Sequence, residues 1–285
     1  MSLRKSLTLG ASVIAVSLGL AVSAQASTVL PVTNLTFNAF SGTFNGKPKN
    51  FFTQVMPTGW SIGAAAQIDN LIYVGNQGSE TYSSSNTGNI YGVYSNPGFS
   101  NTVPPGTNFY QADGNPQFES TIMQTIPNLT AGTTYTLQFQ QAAGQQQGFT
   151  GPTTEEWKVF LGVGGIGVDC STNPCTVTGT ANNEEEDSTP MSDGSMMNVD
   201  WNSVSLSFTP TTADLGGQTT GSAVLTFLAW GDNGSTTNLP PTVFLEGVNT
   251  PPVVPEPATL SLMGAGLLGL GAISLRRRAK GKAAA

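Results

Sequence analysis

Between Ser27 and Thr250 no run of twelve residues carries an amphipathic helical pattern, and the clearest periodicity is two. Val204, Leu206 and Phe208 alternate with Ser205 and Ser207, and Tyr135, Leu137 and Phe139 alternate with Thr134, Thr136, Gln138 and Gln140. Side chains alternate across a strand, so this pattern turns one face to a core and the other to water. Phe118, Ile122 and Ile126 share a face in the same way, whereas residues 223–229 are almost continuously apolar, as in a strand covered on both sides. Further strands are expected at residues 35–40, 51–56, 71–74, 157–161 and 243–248. The turn-rich stretch 127–132 is expected to join 118–126 and 135–139 as antiparallel neighbours in one half-wetted sheet. Residues 75–106 form a long Ser/Asn/Gly/Pro loop, and loops of that length inside a domain are usually functional. About 225 residues in this region suit one sandwich of roughly nine or ten strands. The expected fold is an all-β, antiparallel, jelly-roll-like β-sandwich.

Both ends read as addresses. Arg4 and Lys5 precede an apolar run at 7–22, and Ala24-Gln25-Ala26 has the small-x-small pattern of a signal peptidase site, so the mature chain is expected to start at Ser27. Residues 258–275 carry no charge and extend about 27 Å at helical rise, close to the ~30 Å core of a bilayer. Arg276, Arg277 and Arg278, with Lys280 and Lys282, follow at once and assign the tail to the cytoplasm. The chain thus divides into a signal peptide (1–26), a β-sandwich ectodomain (27–249), a Pro-rich linker (250–257), a transmembrane helix (258–275) and a basic cytoplasmic tail (276–285).

With both ends removed, only Lys47, Lys49 and Lys158 remain basic against sixteen acids, a net charge of −13. Phosphate backbones need clustered Lys and Arg, so nucleic acid is excluded as a partner; cations or neutral polymers fit. The chain has no histidine, which removes Ser-His-Asp, Cys-His and histidine-based metal catalysis. Paired carboxylates could still hydrolyse glycosides, and Glu119, Glu155, Glu156 and Glu246 are the acids to consider. Glu155 and Glu156 cannot form such a pair on a strand, because neighbours point to opposite faces. A non-enzyme is expected.

Cys170 and Cys175 enclose four residues with a turn-forming Asn-Pro, and in an oxidising compartment they are expected to form a disulfide across a tight loop. Glu184, Glu185, Glu186 and Asp187, followed by Asp193, offer oxygen ligands for Ca²⁺, although their spacing matches no EF-hand; a solvated acidic loop is the alternative. Trp230-Gly231-Asp232-Asn233-Gly234 is either an ion or sugar loop or a plain turn. For saccharides, an aromatic ring must stack on the sugar face while Asn, Gln and Asp bond the hydroxyls. Trp60, Tyr82, Tyr91, Tyr94 and Tyr110 lie in or beside Asn/Gln-rich stretches and could do so, or could pin their own loops. Trp157, Trp201 and Trp230 are expected in the core or at strand edges. Arginine is absent from residues 27–250, so any bound glycan is expected to be neutral or bridged by Ca²⁺.

Pro255-Glu256-Pro257, the apolar segment and the arginine cluster, in that order at the C-terminus, resemble the PEP-CTERM sorting signal of Gram-negative bacteria. The resemblance implies that an exosortase-type membrane protease recognises Pro255, Glu256 and Pro257 and delivers the protein to the cell surface or outside the cell. Such systems accompany exopolysaccharide production, which implies a matrix, biofilm or polysaccharide-associated role. A plain membrane anchor is the alternative. Leu129-Thr130-Ala131-Gly132-Thr133-Thr134-Tyr135-Thr136-Leu137 is similar to the corner of extracellular jelly-roll modules of the galactose-binding-like type, a likeness of packing and turn chemistry that bears on fold.

Overall fold

Seventeen strands alternate with turns in a computed structural model that describes residues 27–42, 49–51, 55–63, 70–74, 108–146, 148–172, 174–231 and 239–247. In chain order the first six are β1 (Thr28–Val29), β2 (Phe40–Gly42), β3 (Lys49–Phe51), β4 (Val55–Pro57), β5 (Ser61–Ile62) and β6 (Asn70–Val74). The next six are β7 (Asn108–Asp113), β8 (Thr121–Thr130), β9 (Tyr135–Gln145), β10 (Thr153–Gly162), β11 (Gly167–Asp169) and β12 (Thr176–Thr178). The last are β13 (Asn183–Asp187), β14 (Met191–Asp193), β15 (Asn198–Phe208), β16 (Thr220–Gly231) and β17 (Pro241–Glu246).

Two sheets face each other. In the seven-stranded sheet β15 and β17 flank β9, and β7, β6 and β3 continue outward from β17; β1 adds in parallel to the start of β9. In the six-stranded sheet β16 is central, with β8 and then β5 on one side and β10 on the other; β13 and β14 share the outer edge of β10. Two short ribbons, β2–β4 and β11–β12, stand apart.

Alternation decides what lies between the sheets. Ile122 and Ile126 of β8, Leu137 and Phe139 of β9, Trp157, Val159 and Leu161 of β10, and Leu225 and Phe227 of β16 all enter one buried cluster. Val204, Leu206 and Phe208 of β15 and Val243 and Leu245 of β17 join Leu137 and Phe139 of β9 in closing it from the seven-stranded sheet. At its centre Trp157 stacks on Tyr110 with ring centroids 5.9 Å apart and meets the edge of Phe227 at 5.9 Å. The Trp157 indole donates to the Phe244 carbonyl at 3.1 Å, so the one polar atom of this ring is paired across the sandwich.

The all-β expectation holds, with three corrections. Strands β8 and β9 do not pair: β8 lies against β16 and β9 against β15 and β17, so the chain crosses from one sheet to the other between them. The corner is built by Tyr135, whose hydroxyl accepts the Thr130 N–H at 2.9 Å, and by Gly132 at φ +77°, a conformation glycine adopts without steric cost. Strand β8 also continues through Pro127 and Asn128, where the register against β16 shifts; a bulge is where a strand tolerates proline. Residues 35–39 are not a strand. Asn34 and Phe37 have φ of +50° and +51°, and the Asn34 side chain bonds both the N–H and the carbonyl of Ala39, replacing ladder bonds with a local turn. Leu35 and Phe37 are buried all the same. Among the described residues no helix is long and apolar enough to cross a membrane, and residues 1–26 and 248–285 lie outside them.

Phe227 touches Phe139, Trp157 and Trp60, so Phe227→Ala should cost about 3–5 kcal/mol, while Ser205→Ala on the wetted face should stay within about 0.5 kcal/mol. Urea midpoints of the two variants check the contrast; equal midpoints would contradict this core.

Candidate functional site

Trp157 faces inward, so its neighbours Glu156 and Lys158 stand on the outer face of the six-stranded sheet. Register brings them opposite specific partners: Glu156 faces Trp230 of β16, and Lys158 lies between Leu228 of β16 and Asp187 of β13. On the far side of β16, Thr121 pairs with Leu228 and the Ser120 carbonyl accepts the Ala229 N–H, which stands Glu119 beside Trp230. Trp230 therefore sits in a row between Glu156 of β10 and Glu119, two residues ahead of β8.

The Lys158 ammonium lies 4.9 Å from the centroid of the Trp230 ring and 3.5 and 3.6 Å from the Glu185 and Asp187 carboxylates. Trp230 and Glu156 are half-buried, and Glu185 and Asp187 are exposed. Glu119 is 1% exposed and its Oε2 has no hydrogen-bond partner. Burial pushes the Glu119 carboxyl up to about 8, with the Lys158 charge pulling the other way. Burial also raises Glu156, as do the Asp187 and Glu185 charges, while Lys158 opposes them.

Beside this row the same face is roofed by the β11–β12 ribbon. Phe160, Leu228, Ile166, Val168 and Cys175 form a second buried cluster, with Trp230 packed at its margin. The Cys170–Cys175 disulfide closes the ribbon's turn, as expected, and Cys175 N–H to the Pro116 carbonyl and Ile166 N–H to Thr226 Oγ1 tie the ribbon down. On the open side of Trp230 a shallow cleft lined by Thr154, Glu155, Glu156, Pro190, Trp230 and Gly231 has about 10 Å³ of interior space, room for roughly one water molecule.

The sugar contacts expected from the sequence are not gathered here. Trp60 is 4% exposed: its ring packs on Phe37 and Phe227 and its indole donates to the Asn34 carbonyl. Tyr110 is fully buried against Trp157. Both are core residues, because Trp60 opens the short β5 edge and Tyr110 falls on the inward parity of β7. Tyr82, Tyr91 and Tyr94 lie outside the described residues, as do Ala24, Ala26, Pro255, Glu256, Pro257, Arg276, Arg277 and Arg278.

The acidic run is a strand, not a loop. In β13 successive carboxylates part company: Glu185 and Asp187 turn toward Lys158, whereas Glu184 accepts the Thr209 N–H at 2.7 and 2.9 Å. Asp193 lies in β14, buried, accepting from the Thr153 hydroxyl, and burial pushes its carboxyl up to about 6. Among the described residues no three His, Cys, Asp or Glu side chains come together to hold a metal. Of the acids considered for glycoside chemistry, Glu119, Glu155 and Glu246 are each 1% exposed. Trp230, expected as a core or edge residue or as the start of an ion or sugar loop at 230–234, ends β16 as the half-exposed ring of the candidate site, while residues 232–238 lie outside the described residues; Lys158 is the residue the sequence reading missed, and an i, i+2 Glu-Lys pair ahead of a run of acids is the signal that could have marked it.

Residues 253–278 match the PEP-CTERM protein-sorting motif. No curated protein matches the chain. Among solved structures, the chain is similar to the enzymatically active domain of bacteriophage CBA120 tailspike protein 4 (10% identity, TM-score 0.29, 67% of this chain), of whose length it spans 20%. It is also similar to a cyclase from Fischerella sp. TAU (12% identity, TM-score 0.37, 79% of this chain and 100% of that one). A third is TmCBM61 in complex with β-1,4-galactotriose (10% identity, TM-score 0.30, 73% and 96%). All three TM-scores are below 0.5.

Glu119 and Asp193 bind their protons more tightly folded than unfolded, so their contribution to stability is complete below their ordinary pKa values and is lost as pH rises. The loss runs up to about 6 for Asp193 and about 8 for Glu119, by at most about 1.4 kcal/mol per pH unit for each group. Chemical denaturation from pH 4 to 9 should show this fall, and Glu119→Gln should flatten it between pH 6 and 8. An unchanged slope in that variant would show that Glu119 is not its source.

Proposed function

We propose that this is an exported, non-catalytic β-sandwich protein that an exosortase-type system sorts to the cell surface or extracellular matrix, where it associates with carbohydrate. The observation that carries the reading is the PEP-CTERM sorting motif at 253–278, which contains Pro255, Glu256 and Pro257. In this reading signal peptidase removes residues 1–26, the apolar segment 258–275 tethers the precursor in the inner membrane with the basic tail inside, and cleavage near the motif frees residues 27–249. The non-catalytic part draws support from the acids: three of the four considered, Glu119, Glu155 and Glu246, are each 1% exposed, and no histidine is present. Carbohydrate association draws support from Trp230, a half-exposed ring with polar side chains around it on an open sheet face.

A purely structural surface protein is the second reading, favoured by the burial of Trp60 and Tyr110, two rings with the composition of sugar contacts that serve the core. Retention of the full chain on matrix polysaccharide, measured with and without Ca²⁺, separates the two; no retention in either condition favours the structural reading.

Sorting has its own measurement. In the native host, the Pro255→Ala/Glu256→Ala double variant should keep its tail, show the uncleaved mass and stay with the membrane. Mature mass and location identical to the wild type would overturn the exosortase assignment.

A further inference from the structure

The outer face of the six-stranded sheet already contains one bound primary ammonium, its own. Lys158 Nζ lies over the Trp230 ring, with the Glu185 and Asp187 carboxylates at 3.5 and 3.6 Å. Aromatic face and paired carboxylates are what a protonated amine needs, since the ring quadrupole and the charge-assisted bonds both favour the cation. One lysine serves more acids than it can satisfy. Glu156 faces Trp230 in register from the same strand as Lys158, whose ion pairs go to Glu185 and Asp187 instead. Glu119 adds a buried carboxyl beside the same ring, 1% exposed and with Oε2 unpartnered. Burial and the like charges of Asp187 and Glu185 hold Glu156 above its ordinary pKa, so a second cation nearby would relieve it.

The open cleft beside Trp230 has the size for that second cation. Its interior holds roughly one water, which suits an ammonium group and excludes a sugar ring, and its lining includes Glu156 and no basic residue. The ring that bears the amine would remain outside, against the half-exposed Trp230.

We propose that the Trp230 face binds the protonated amines of an amino-sugar polymer, with the ammonium in the Thr154–Glu156–Gly231 cleft and the pyranose ring on Trp230. This rests on the carbohydrate reading above and narrows it: absence of arginine argues against acidic glycans, and the charge around Trp230 selects cationic ones over neutral ones. A lysine-rich protein offers the same amine without the flat ring that Trp230 would stack, so the glycan is the favoured occupant.

The full chain, purified in detergent, is titrated with a glucosamine hexamer, an N-acetylglucosamine hexamer, cellohexaose and polylysine at low ionic strength. The glucosamine hexamer should bind at least tenfold more tightly than its acetylated counterpart, and Glu156→Gln should weaken it about tenfold or more, the loss of one charge-assisted bond. Lys158→Met gives the sharper result. It removes the internal competitor and frees the Glu185 and Asp187 carboxylates, so glucosamine binding should tighten, whereas a neutral or acidic ligand gains no charge-assisted bond. Unchanged urea midpoints for both variants keep these results separate from folding. Equal affinity for the free and acetylated hexamers overturns the amine preference while leaving sugar binding intact. Polylysine binding as tight as the glucosamine hexamer overturns the glycan in favour of a basic protein. Binding of none of the oligosaccharides overturns the inference together with the carbohydrate reading it rests on.

Discussion

The contact on which most of this molecule depends is the Trp157 indole, stacked on Tyr110 and donating to the Phe244 carbonyl of the opposing sheet. Trp157 is large and fully buried, so its ring fixes the spacing between β10 and β17 over a wide area, and its N–H would be costly unpaired. Its backbone N–H is held too, by the Ser188 hydroxyl. Locking one residue inward sets the parity of the whole strand: Thr153, Glu155, Trp157, Val159 and Leu161 go in, and Glu156 and Lys158 go out. A slip of one residue would bury the only lysine among the described side chains and expel the tryptophan. The charged face is therefore a consequence of core packing.

The strands were legible because alternation is a local property. Residues 204–208, 157–161 and 223–230 read as strands from their side chains alone and are strands. Sheet membership is not local. Strands β8 and β9 each show a clean apolar face, and that pattern is the same whether the two pair in one sheet or face each other across the core; the register with β15, β16 and β17 decides it. Residues 35–39 failed differently. Leu35 and Phe37 alternate as a strand would and both are buried, yet Asn34 completes its own turn, and a side chain that bonds nearby backbone competes directly with a ladder.

The site was legible in its residue types and not in its assembly. A net charge of −13 over residues 27–250 reads as a surface suited to cations or neutral polymers, and Glu185 and Asp187 are the acids of the 184–187 run that meet Lys158. What the sequence does not display is that Lys158 meets Glu185 and Asp187, 27 and 29 residues away, through one antiparallel pairing, or that Glu119 and Glu156 end on either side of Trp230. Trp60 and Tyr110 show the converse. An aromatic among polar neighbours has the composition of a binding loop, but composition is silent on depth, and these two rings are inside.

The β11–β12 ribbon explains why Trp230 is the residue left at the surface. A sheet face that carries Phe160 and Leu228 must be covered, and the ribbon does this with Ile166, Val168 and Cys175, anchored by Cys175 N–H on the Pro116 carbonyl. The disulfide spans only five positions, so the entropy it removes from the unfolded chain is small and its effect is to shape the turn of the ribbon. Coverage ends one residue pair beyond Leu228, where Trp230 packs on the margin of the ribbon's cluster and presents the rest of its ring to the cleft. A bulky ring is needed there because it must do both: seal the apolar cluster on one side and offer a flat surface on the other. A smaller residue would open the ribbon's core to water, and a fully buried one would leave the carboxylates of Glu156, Glu185 and Asp187 with no aromatic surface to share.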